Sequence, residues 1–222
     1  MYAPHPNGGG LVEDTAHVDA TAYVGPNAHV RGSAQVYGRA QVCGNARVYG
    51  DSFVGGDAHV FGNARVCGNA QVYGDARVYG NARVCGDARV SENAQVRGHA
   101  MVLGDACVYG NAYVYEDAQV YGSAHVYGDA RVCGNAHVSW NATVFSGAVS
   151  VTPTRLSLIG SPDVQITDEY LTIGCQTHTF AHWRKYASEI AEKHGARHLL
   201  KYRDLIERLI TEHLVAVKGR VV

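Results

Sequence analysis

Apolar residues recur every sixth position along most of this chain, a period that fits neither an isolated strand nor a helix. From Val18 to Val144 a valine stands at each sixth position without a miss, 22 in all, and Val12 fits the same register. Two places before each valine lies Ala, from Ala16 to Ala142, with Ser52 as the one substitute. Two places after it lies Gly in 16 of the 22, followed mostly by Asn or Asp. In Ala-x-Val-x the Ala and Val side chains project to one side and the x residues to the other. Gly-Asn or Gly-Asp then supplies a bend, because both residue types tolerate positive φ. A strand and a corner every six residues predict a triangle that closes every 18. Successive triangles stack about 4.8 Å apart through parallel main-chain hydrogen bonds. The chain therefore reads as mostly β: a parallel β-helix over residues 12–150, preceded by an N-terminal segment (1–11) and followed by a small α+β cap (151–222). At three strands per coil, the repeats make about seven to eight coils.

An aliphatic residue, a small residue two places earlier and a turn between them resemble the hexapeptide-repeat superfamily, over about residues 12–148. That resemblance implies a left-handed parallel β-helix and a homo-oligomer, with a trimer favoured. Many members are acyltransferases that use acetyl-CoA. Such enzymes usually extrude a loop from the coils, which helps build a site between subunits and a catalytic His. Here nothing is inserted between Val18 and Val144. A bare prism offers walls rather than a concave pocket. The expectation is accordingly a non-enzymatic binding or scaffold protein with no catalytic residue and no cofactor. A hexapeptide-type acyltransferase using acetyl-CoA between subunits is the alternative.

Composition narrows the field. The chain is 46% hydrophobic, yet it holds only four Phe and two Trp, so its apolar content suits a thin column of small side chains. A net charge of −1 provides no global field to recruit nucleic acid or a membrane. No apolar run approaches the roughly 18 residues of a membrane span. The start, "MYAPHPNGGG", shows no signal-peptide pattern. The expected location is cytoplasmic, in a bacterium or a phage-infected host cell.

Residues 18 apart should become vertical neighbours, so the outward positions sort into faces. One face carries His29, Arg47, Arg65, Arg83, Met101, Gln119 and His137 before the valines, and Arg31, Tyr49, Cys67, Cys85, Leu103 and Tyr121 after them. Arg47, Arg65 and Arg83 thus form a ladder. Unit charges about 5 Å apart in water repel by roughly 0.8 kcal/mol, and Asp51 and Asp87 at the following corners would offset this. The ladder reads either as a solvated charged face or as an anion site for a phosphorylated or acidic small molecule. In the second reading Arg forks grip phosphate or carboxylate and Tyr49 stacks on a ring. A second face aligns Tyr37, Tyr73, Tyr109 and Tyr127, readable as cross-strand stacking or as an interface for self-association. Asn45, Asn63 and Asn81 share one corner with Asn27, where amide stacking is structural.

Cys67 and Cys85 lie one coil apart, close enough for a disulfide. Yet Cys43, Cys67, Cys85 and Cys133 share a slot taken mostly by Tyr, which favours free thiols in small apolar positions. A zinc lyase on this kind of scaffold needs three converging His, whereas His17, His29, His59, His125 and His137 scatter over three faces.

After Ala148 the period stops. Val164 and Ile166 should pair with Leu171 and Ile173 across a Thr167-Asp168-Glu169 turn. Thr179 should cap a helix running to about His194, with Phe180, Trp183, Tyr186, Ala187 and Ile190 on one stripe. Gly195 stops it, and a second helix follows over 197–215 with Leu199, Tyr202, Leu205, Ile206, Leu209 and Ile210 inward. The stretch "TIGCQTHTFAHW", through Ile173, Gly174, Cys175, His178, Thr179 and Trp183, resembles a small domain that follows hexapeptide repeats in hypothetical proteins of bacteria and phages. Cys175, His178 and His182 have spacing suited to a metal but lack a clear fourth ligand, so the expectation is no metal. The domain's expected role is to cover the last coil, whose open strand edges would otherwise invite stacking.

Overall fold

The computed structural model describes residues 1–156, 164–173, 176–193, 200 and 202–219. Two compact units emerge, residues 1–146 and 147–222.

The first unit is a parallel β-solenoid, and the whole chain makes about eight turns of it. Each repeat contributes a two-residue strand ending on its valine, such as Arg47–Val48 or Arg65–Val66. Strands 18 residues apart pair in parallel register, so Val48 faces Val66 and Val66 faces Val84. Each side of a turn is tied to the next by main-chain bonds of one pattern: Arg47 N–H to Ala64 O at 3.0 Å, Tyr49 N–H to Val66 O at 3.0 Å, and Asp51 N–H to Gly68 O at 2.9 Å.

Valine and alanine fill the interior. Every register valine from Val24 to Val138 is fully buried, and so is every partner alanine from Ala22 to Ala136. Each such valine contributes about 1.5 kcal/mol of burial, and 18-residue periodicity makes this gain continuous. Ser52 occupies an alanine slot, is fully buried, and its hydroxyl has no hydrogen-bond partner among the described residues. Ser52→Ala should therefore stabilise the solenoid by about 1 kcal/mol, seen as a higher urea midpoint at unchanged slope. A lower midpoint would mean that the hydroxyl is satisfied.

The corners follow the glycine pattern, with φ near +70° at most repeats, for example Gly68 at 69° and Gly86 at 79°. Three corners replace Gly with a side chain that keeps the same left-handed conformation: Glu92, Glu116 and Trp140, with φ of 58°, 60° and 59°. Both glutamates bind the next turn. Glu92 Oε2 accepts from Gly110 N–H at 3.0 Å, and Glu116 Oε2 accepts from Gly134 N–H at 2.6 Å. The expected amide column is bonded from Asn45 onward, with Asn45 donating to Asn63 and Asn63 to Asn81, both at 3.1 Å.

The N-terminal segment is itself part of the solenoid. Tyr2–Pro4 runs antiparallel to Leu11–Glu13, which pairs in parallel with His29–Val30. Nothing in the hexapeptide period signals this hairpin.

The second unit contains a four-stranded antiparallel meander: Thr154–Leu156, Val164–Ile166, Tyr170–Ile173 and Gln176–Thr179. The expected hairpin register is observed, Val164 opposite Ile173 and Ile166 opposite Leu171. Helix α1 spans Phe180–Lys193, and Thr179 Oγ1 accepts from His182 N–H at 3.2 Å. Helix α2 spans Arg203–Lys218 and ends later than its pattern suggests, while the expected start at 197 lies outside the described residues. Leu199 and Gly195 lie outside the described residues. Val164, Ile166, Leu171, Phe180, Trp183, Ala187, Ile206 and Ile210 form the core. A buried polar cluster joins three segments of this unit. Asp168 Oδ2 accepts from Ser150 N–H at 2.8 Å and from Ser150 Oγ at 2.7 Å, while Asp168 Oδ1 lies 3.4 Å from His213 Nε2.

Candidate functional site

The arginine ladder exists as the 18-residue spacing requires. Arg47 is the register partner of Arg65, and Arg65 of Arg83, on consecutive strands of one sheet. His29 precedes Arg47 and Met101 follows Arg83 on the same column. All three arginines are exposed. Among the described residues, none of the three guanidiniums has a carboxylate within 4 Å. Asp87, expected to offset the ladder, forms no ion pair with it and accepts a hydrogen bond from Asn69 Nδ2 at 2.8 Å. By contrast Arg39, at a corner, pairs with Asp57 at 2.8 Å. The ladder thus concentrates like charges at the strand spacing and leaves their donors facing water.

The neighbouring column carries Arg31, Tyr49, Cys67 and Cys85. The Arg31 guanidinium lies over the Tyr49 ring, 4.7 Å from its centroid, so one face of that ring is already covered. Cys67 and Cys85 form a disulfide across adjacent turns, with Cα atoms 4.6 Å apart. This corrects the expectation of free thiols. Parallel pairing in register brings the two Cα atoms within bridging distance, a local geometry that outweighs the company these cysteines keep in their slot. Cys43, Cys107 and Cys133 form no disulfide among the described residues.

At the N-terminal end of this face the surface is concave. Tyr2, Leu11, His29, Arg31 and Arg47 line a cleft of about 350 Å³. The ladder spacing points to Arg47, whereas no sixfold spacing points to Tyr2 and Leu11, which arrive by the hairpin.

The tyrosine row is a second surface feature. Tyr109 and Tyr127 stack with centroids 4.9 Å apart and planes within 3°. Burial, and next the neighbouring Tyr127, push the Tyr109 phenol above its usual value. Phe53 lies over Gly55, where a Cβ would come within 2.5 Å of its ring, and packs 5.9 Å from Tyr37. Tyr73 is exposed, with Ser91 between it and Tyr109 in the row. On the third face a hydrogen bond with Cys133, followed by burial, raises the Tyr115 phenol to about 12.

Of the metal candidates, Cys175 lies outside the described residues. His178 and His182 stack 4.8 Å apart with nearly parallel rings. No group of three or more His, Cys, Asp or Glu arranged to hold a metal occurs among the described residues. No described helix is long and apolar enough to cross a membrane.

Three stretches, residues 40–56, 70–84 and 82–98, match the family model described as YdcK beta solenoid repeat. No curated protein matches the chain. With the parallel register of its strands, this match makes the chain a β-solenoid repeat protein.

Proposed function

We propose that this β-solenoid is a non-enzymatic binding or scaffold protein whose basic face takes an anionic ligand spanning several turns. The observation that carries the reading is the column Arg47–Arg65–Arg83, three exposed guanidiniums in register with no carboxylate partner among the described residues. Left to themselves, adjacent charges at this spacing repel by roughly 0.8 kcal/mol in water. A ligand with several phosphate, sulfate or carboxylate groups relieves that repulsion and gains charge-assisted, forked hydrogen bonds. Arginine suits the role better than lysine because its donors are fixed in a plane and its charge persists across pH.

Heparin and polyphosphate are suitable probes of a multivalent anion site. The protein should be retained on immobilised heparin and should bind labelled polyphosphate, both weakening with salt. Arg65→Glu should lower polyphosphate affinity about tenfold or more while leaving the far-UV circular dichroism unchanged. Equal binding by the variant would remove the ladder from the function. A thermal shift with acetyl-CoA but with neither polyanion would favour the acyltransferase alternative instead.

A further inference from the structure

We infer that the cleft bounded by Tyr2, Leu11, His29, Arg31 and Arg47 is a separate binding site for a small phosphomonoester attached to a sugar or a planar ring. The inference shares Arg47 with the reading above but rests on its own geometry.

The first element is shape. The parallel solenoid presents flat walls, and concavity arises here because the N-terminal chain folds back antiparallel upon Leu11–Glu13. Leu11, His29 and Arg47 occupy three consecutive strands of one column and form a floor. The cleft's volume of about 350 Å³ falls at the small end of ligand pockets, which suits a single nucleotide- or sugar-sized molecule rather than a polymer.

The second element is charge. The adjacent acid, Glu13, directs its Oε2 to Gly32 N–H at 2.7 Å rather than to a guanidinium. Among the described residues neither Arg31 nor Arg47 has a carboxylate within 4 Å. The cleft therefore holds two guanidiniums with no ion-pair partner among the described residues, beside an imidazole. Two cations match the double negative charge of a phosphomonoester better than the single charge of a carboxylate.

The third element is order. Arg31 is held over the Tyr49 ring at 4.7 Å, so less side-chain freedom is lost when it grips an anion. The apolar part of the lining is Tyr2 and Leu11, both exposed, which offer a surface for the ring or sugar to which the phosphate is attached. The phosphate sits at the guanidiniums and the remainder of the molecule against Tyr2.

Calorimetry on the full chain with AMP, ribose 5-phosphate, adenosine and glucuronate tests this. AMP and ribose 5-phosphate should bind, and adenosine and glucuronate should bind at least tenfold more weakly. Arg31→Ala should abolish the phosphate-dependent heat, and Arg31→Lys should restore only part of it, since the charge returns without the fork. Arg77→Glu, on another face, should change nothing. Tyr2→Ala should weaken AMP more than ribose 5-phosphate. Absence of heat with both phosphates, equal binding of adenosine, or full binding by Arg31→Ala would overturn the inference. Arg65 lies outside the cleft lining, so Arg65→Glu that loses heparin retention but keeps AMP binding, or the reverse, lets either idea fail without the other.

Discussion

Asp168→Ala should cost the C-terminal unit about 3–5 kcal/mol, a large share of the 5–15 kcal/mol that holds typical domains together. The carboxylate side chain is 7% exposed and that of His213 only 2%. Its two oxygens serve the start of the unit, through both the amide and the hydroxyl of Ser150, and helix α2, through His213. Removing the shared acceptor takes away two hydrogen bonds to Ser150 and the contact to His213 at once, and the desolvation already incurred is not returned. Asp168→Asn retains one acceptor oxygen and should cost less than half as much. Trp183 is buried in this unit, whereas Trp140 is 73% exposed in the solenoid. Tryptophan emission should therefore shift red at a lower denaturant concentration in Asp168→Ala, while the strand signal of the solenoid persists. Coincident emission transitions in wild type and variant would show that the cluster is not structural.

Gly86→Val should lower the solenoid's melting temperature by about 6–12 °C, the shift that some 3 kcal/mol produces in a chain of this size. Two penalties combine. Gly86 has φ of +79°, which costs an L-residue about 1–2 kcal/mol and a β-branched one more. A Cβ there would lie 2.9 Å from Gly104 N and 3.1 Å from Gly104 O, main-chain atoms that cannot move without disturbing the stack. Overpacking of this kind costs about 1–3 kcal/mol. Gly9→Ala separates the two effects, because Gly9 has φ of +74° with nothing within 4 Å of its Cβ position, so the conformational penalty alone applies. The corners at Glu92, Glu116 and Trp140 show which side chains the position accepts: all three are unbranched at Cβ. A melting shift no larger for Gly86→Val than for Gly9→Ala would refute the close-approach argument.

The repeat was legible because each contact in it joins residues of the same rank in the period. Val66 meets Val48 and Val84, Arg65 meets Arg47 and Arg83, and Asn63 meets Asn45 and Asn81, so a sequence sorted by eighteens already lists the neighbours. In the second unit, alternation and capping signals located the hairpin and the start of α1, both of them short-range features. The features that escaped notice depend on contacts between unlike positions. The hairpin joining Pro4 to Leu11 has no counterpart elsewhere in the period. Asp168 lies 45 residues from His213, and a turn aspartate ordinarily faces water. The Cys67–Cys85 bridge is legible in the 18-residue spacing, while the tyrosines sharing the slot point the other way. The cleft needed Tyr2 and Leu11 to meet Arg31 and Arg47, a meeting that no periodicity encodes.

The interior and exterior of this rod obey different arithmetic. Its valine-alanine column is the same on all three sides, so inserting or deleting six codons would keep the interior packed. Such an event would, however, rotate every later decoration by a third of a turn, carrying Arg83 off the line of Arg47 and parting Asn81 from Asn63. Gains or losses of 18 codons preserve both. The length of the rod can therefore drift in whole turns, whereas the alignment of its outer columns tolerates no smaller step.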